Sequence, residues 1–84
     1  DKSRFDPEKL KDVTVNDSVK WINWDRYFQM TYTIVGSNDA WKWEPFKIEL
    51  LKNHTITFDK PGVYNFTTKE VPAMKGTIIV KSTT

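Results

Sequence analysis

The chain contains no cysteine, one histidine and only three glycines in 84 residues. Without cysteine there are no disulfides, no thiolate metal ligands and no cysteine nucleophile. With a single histidine, a nucleophile–base pair or a multi-imidazole metal cluster cannot be assembled from the usual groups. No apolar run approaches the ~18 residues needed to span a bilayer, so this domain has no segment for membrane insertion. Charge of one sign is also missing. Thirteen basic and eleven acidic residues leave a net charge of +2, and the lysines form neither a run nor a helical stripe. A basic footprint for nucleic acid is therefore not expected.

Aromatic rings are plentiful: four Trp, three Tyr and five Phe. A chain this short buries only about 60% of its unfolded surface, and rings burying roughly 150–250 Å² each make its core efficient. Signs of both charges are mixed, with no repeat or low-complexity run, so a single domain over residues 1–84 is expected. It opens on "DKSRF" without a signal peptide or initiator Met. The expectation is a domain excised from a longer secreted or surface-anchored protein.

Hydrophobic periodicity is two almost throughout. "VTVNDSVKWIN" (residues 13–23) alternates on either side of an Asn-Asp turn, which predicts a β-hairpin with Asn16 in the left-handed conformation. "TYTIV" (31–35) is a third strand. "TITF" (55–58) and "VYNFT" (63–67) flank Pro61-Gly62 as a second hairpin, and "GTIIVKS" (76–82) is a last strand. Pro45 interrupts "WKWEPFKIELLK" (41–52), predicting a short helical turn followed by a strand. The pattern is all-β, a sandwich or barrel of about seven short strands. Val19, Trp21, Ile34, Phe58, Tyr64, Phe66, Ile78 and Val80 are its expected core.

Three segments resemble the cupredoxin family, in the small amicyanin and plastocyanin style. Residues 5–25 follow an F-x-P start leading to V-x-V-G-D-T-V-x-W-x-N, residues 58–66 follow F-x-x-P-G-x-Y-x-Y, and "MKGTIIV" (74–80) follows M-x-G-x-I-x-V. The resemblance implies a Greek-key sandwich that, in the family, holds one copper with His, Cys, His and an axial Met. Soft thiolate and imidazole donors suit both copper oxidation states in one geometry. Carried over by position, the first His falls on Gln29, the Cys on Thr68 and the second His on Val71, and Met74 retains the axial thioether. The fold is thus expected and the family's usual electron transfer is not. Ephrins share the fold without copper, a fold-level analogy only.

Two alternatives stay open at this point. Met30 adjoins the first-His position, so Met30 and Met74 are candidate thioether ligands for Cu(I) in a degenerate copper carrier. Against this, both methionines serve equally as gap-fillers. Seven of the twelve aromatics lie within residues 24–46. They either refill a copperless pocket or present a surface for a protein partner or a sugar ring. Trp24, Tyr27, Phe28, Trp41 and Trp43 are the candidate partner surface, and all but Trp24 are expected to be its more exposed members. His54 is read as a surface histidine. No cofactor and no enzymatic activity are expected of what reads as a structural or protein-binding module; the partner is a protein or another domain of the parent chain, with carbohydrate as the alternative.

Asn-x-Ser/Thr triplets at Asn16, Asn53 and Asn65 exceed the roughly one that chance would supply, and point to an extracellular, glycosylated domain. Intact-mass analysis of protein from its native host is expected to show glycan mass at one or more of these asparagines. Unmodified mass at all three removes this argument for secretion.

Overall fold

The computed structural model describes Phe5, residues 8–24 and residues 30–82. Among these residues there are seven strands: β1 (Lys9–Thr14), β2 (Ser18–Ile22), β3 (Tyr32–Gly36), β4 (Phe46–Ile48), β5 (Asn53–Thr57), β6 (Gly62–Thr68) and β7 (Lys75–Lys81). They form a five-stranded sheet ordered β1-β7-β6-β3-β4 and a two-stranded sheet of β2 and β5. β1 runs parallel to β7, with a register irregularity between Leu10 and Val13, and every other pairing is antiparallel.

Inward residues follow the period-two pattern. On β6 these are Tyr64, Phe66 and Thr68, and on β7 Gly76, Ile78 and Val80. Of the expected core, only Val19 is partly exposed, and it still packs against the buried cluster. The rings meet around Trp21, which contacts Trp41, Phe46 and Phe66 edge-on with centroids 5.9, 5.6 and 5.5 Å apart.

Neither predicted hairpin forms. β1 and β2 lie in different sheets, as do β5 and β6. At the first turn, the backbone N–H of Val15 donates to Lys81 and that of Asn16 to Phe58, so the turn bonds outward to β7 and to the residue just past β5 rather than closing a ladder. Asn16 does take the left-handed conformation, with φ of 76°. At the second turn, Phe58 crosses the core fully buried and the Tyr64 hydroxyl donates to the Lys60 carbonyl at 2.7 Å. Alternation reports which face of a strand is buried, not which strand lies beside it. Strands with facing apolar sides satisfy that pattern equally well across a sandwich.

The helical turn expected within residues 41–52 is also missing. Only β4 is regular there, because Trp41 is drawn into the core and Trp43 packs partly buried against it. Two glycines make that packing fit. Phe66 is flanked in register by Gly36 on β3 and Gly76 on β7. A Cβ on Gly36 would collide with the Trp41 ring, and one on Gly76 with the Phe66 ring. Gly76→Ala is therefore expected to destabilise the fold by about 1–3 kcal/mol through overpacking, measured as a lowered urea midpoint with unchanged m-value. An unchanged midpoint would show that the Phe66 ring moves aside freely.

Candidate functional site

At one end of the sandwich, residues 69–74 join β6 to β7. Thr68, the last residue of β6, faces inward with 0% exposure because it continues the Tyr64–Phe66 alternation. A buried hydroxyl needs partners, and Thr68 has them. Its Oγ1 donates to the Val71 carbonyl at 2.8 Å and accepts from the Val71 N–H at 3.0 Å. The Met74 N–H then donates to the same Val71 carbonyl at 2.9 Å, and the Met74 sulfur lies 3.9 Å from Thr68 Oγ1. Thr67 adds a second brace, its hydroxyl reaching the Met74 carbonyl at 2.6 Å and the Pro72 carbonyl at 2.9 Å.

Thr68, Val71 and Met74 are thus brought together by one short loop. Gln29, the fourth position of the set, lies outside the described residues, as do Tyr27 and Phe28. The three present do not fit the copper of the resembled family. One offers a hydroxyl already bonded to backbone, one an isopropyl group and one a thioether, with neither thiolate nor imidazole. Among the described residues, no group of three or more His, Cys, Asp and Glu could hold a metal ion.

A carboxylate ties this loop to the sheet. Glu70 accepts from the Thr33 N–H and from the Thr33 hydroxyl, both at 2.7 Å, and the Lys69 N–H donates to the Thr33 carbonyl at 2.9 Å. Partial burial pushes the Glu70 carboxyl up. The Thr33 bonds, its own N–H and the Lys69 charge outweigh that and hold it below the ordinary carboxylate range.

A second bracket centres on Asn23, a buried amide just past β2. Its Nδ2 donates to the Met30 carbonyl at 2.7 Å and the Ile48 carbonyl at 2.9 Å. Its backbone carbonyl accepts from Leu51 at 2.7 Å, and its N–H donates to Lys52 at 3.1 Å. Around this bracket sit Ile22 at 43% exposure, Trp24 at 63% and Leu51 at 51%. Leu51 holds a φ of 65°, uncommon for a non-glycine residue.

The exposed surface differs from the expected one. Trp41 is buried, since the Cβ-less Gly36 opens a slot for it, and Trp43 is half-buried. Trp24 is the candidate aromatic that is exposed among those described. His54 stacks face-on against Phe46, with ring centroids 3.9 Å apart, and is half-buried rather than a free surface histidine. Asn16 and Asn53 are exposed. Asn65 lies on the outer side of β6, half-buried, and its Oδ1 accepts from the Thr77 hydroxyl at 2.9 Å. Ile22 was readable as an outward residue from its alternation with Trp21. Glu70, Asn23 and Leu51 carry no sequence signal for their roles, because each depends on a partner distant in the chain or on backbone geometry.

No family model matches the chain, and no curated protein matches it. Solved structures do. A copper(I) form of a mutant amicyanin superposes with a TM-score of 0.80 at 21% identity, covering 96% of this chain and 76% of that one. A reduced amicyanin mutant gives 0.78 at 21% identity, over 93% of this chain and 73% of that one. A purple cupredoxin from Nitrosopumilus maritimus gives 0.80 at 18% identity, over 93% and 82%. The protein has the cupredoxin fold. At these identities the likeness establishes the fold alone.

The Glu70 carboxylate fixes a testable pH dependence. Its folded pKa is lowered, so its contribution is present above the unfolded carboxylate range of about 4.3 and is lost as pH falls through the lower folded value. Glu70→Gln is expected to lower stability by about 1 kcal/mol at neutral pH, discounting charged hydrogen bonds for solvent exposure. It should also flatten the acid limb of the stability profile. An acid limb identical in both proteins would place its origin elsewhere.

Proposed function

We propose that this is a copper-free, cupredoxin-like extracellular domain that acts as a non-enzymatic binding module, engaging a protein partner through the tip formed by Ile22, Trp24 and Leu51. The observation that carries this reading is the tip itself. Three of the four large apolar side chains exposed among the described residues gather around Asn23. A single exposed apolar residue is ordinary, but a cluster on a braced support is a feature of interaction sites. Holding Leu51 at positive φ costs stability that glycine would spare. That cost is explained if the side chain is used. Lack of thiolate and imidazole among Thr68, Val71 and Met74 supports the copper-free part, and the asparagine triplets support secretion. The exposed Trp24 face also suits a sugar ring, which makes carbohydrate the second reading.

Trp24→Ala and Leu51→Gly test the tip. Screened against secreted and cell-surface proteins, the wild-type domain is expected to select a partner that each variant binds about 2 kcal/mol more weakly, roughly thirty-fold. Leu51→Gly should retain or gain stability, separating binding from folding. Equal binding by all three proteins would reject the tip, and selection on a glycan array instead would favour the carbohydrate reading. Titration with Cu(I) and Cu(II) is expected to show no tight stoichiometric site. A site lost in Met74→Ala would instead support the electron carrier built on Met30 and Met74.

A further inference from the structure

Within the aromatic core, the oxidisable rings form a line. Trp21 meets Trp41 at 5.9 Å between centroids, Trp41 meets Trp43 at 5.0 Å, and Trp43 meets Tyr64 at 5.6 Å. Indole and phenol rings give up an electron far more readily than the phenylalanine rings packed beside them, and no thiol competes, since the chain has no cysteine. Two details distinguish an interior ring of this line from its last. The Nε1 of Trp41 is buried with no hydrogen-bond partner. One-electron oxidation makes an indole N–H acidic, but without an acceptor the proton stays, and the oxidised ring keeps its full pull on a neighbour's electron. At the last ring, the Tyr64 hydroxyl donates to the Lys60 carbonyl at 2.7 Å, within the exposed turn of Asp59, Lys60 and Pro61. Burial, and then the Asp59 charge, hold the Tyr64 phenol above its ordinary range, so it keeps its proton at neutral pH.

We propose that Trp21, Trp41, Trp43 and Tyr64 form a one-electron relay through the core, moving oxidising equivalents from one-electron radical oxidants at the β2–β5 sheet to a phenoxyl radical at the Lys60 turn. The oxidant gains one electron from Trp21. Trp21 is refilled by Trp41, Trp41 by Trp43, and Trp43 by Tyr64. Tyr64 loses that electron and its O–H proton, which passes to water at the turn. The net change is a reduced oxidant, a neutral Tyr64 phenoxyl and one released proton. No metal takes part, and the relay stands independently of the binding role of the tip.

The single histidine offers a place to start the reaction. His54 pairs with Trp21 in the β2–β5 register. A ruthenium polypyridyl coordinated to His54, photo-oxidised in the presence of an irreversible electron acceptor, delivers the oxidising equivalent at the Trp21 end. Circular dichroism confirms that the labelled protein and each variant are folded. The expected result is a phenoxyl absorption that grows at a rate independent of protein concentration. Trp43→Phe, which leaves a ring in place, should lower its yield several-fold. Tyr64→Phe should abolish it and lengthen the life of the indole radical cation. A phenoxyl signal that survives in Tyr64→Phe arises from Tyr27 or Tyr32 and overturns the relay, as does an unchanged yield in Trp43→Phe. If Trp43→Phe fails to fold, Tyr64→Phe, which removes only a hydroxyl, decides the question.

Discussion

The packing of one ring between two glycines organises this domain. Phe66 occupies the central strand of the larger sheet, with Gly36 and Gly76 beside it in register. Because neither neighbour carries a Cβ, the Phe66 ring lies toward β7 and the Trp41 ring settles over β3. Trp21 then closes the layer from the opposite sheet, touching both rings. Interiors pack at nearly crystalline density, so a slab of this shape leaves little freedom for anything attached to it. The residues before β4 are irregular for this reason. They follow Trp41 and Trp43 inward, and only Phe46–Ile48 remains free to pair as a strand.

From that slab the chain crosses between the sheets four times, after β1, β2, β4 and β5. The first crossing leaves backbone groups that no ladder satisfies, and these bond elsewhere, Val15 to Lys81 on β7 and Asn16 to Phe58 just past β5. The opposite end follows the same logic with side chains. Thr68 closes on Val71, Glu70 reaches across to Thr33, and Asn23 holds residues 30, 48, 51 and 52. Hydrogen bonds of Glu70 and Lys69 with Thr33 join the β6–β7 loop to β3.

The two proposals rest on different layers of the same construction. The tip is what the Asn23 bracket leaves outside, its apolar side chains displayed around an amide that donates to the Met30 and Ile48 carbonyls. The relay is what the slab leaves inside, a consequence of filling a narrow sandwich with indole and phenol rings at van der Waals contact. Neither uses Thr68, Val71 or Met74.

The sequence by itself determined which residues face inward, the all-β class and the family resemblance, because alternation and turn residues act within a few positions of one another. Trp21, Ile34, Phe58, Tyr64, Phe66, Ile78 and Val80 were legible in that way, as was the left-handed turn at Asn16. It also determined the donor chemistry at positions 68, 71 and 74, which no folding can change. Only the tertiary structure decided which strands are neighbours, since a sandwich crossing and a hairpin share one hydrophobic pattern. It alone placed Trp41 inside rather than on the surface, because the slot over Gly36 exists only once β3 and β6 are paired. Glu70 and Asn23 belong to the same class. Their partners lie 37 residues away at Thr33 and 25 residues away at Ile48, and a contact between distant positions has no trace in local spacing.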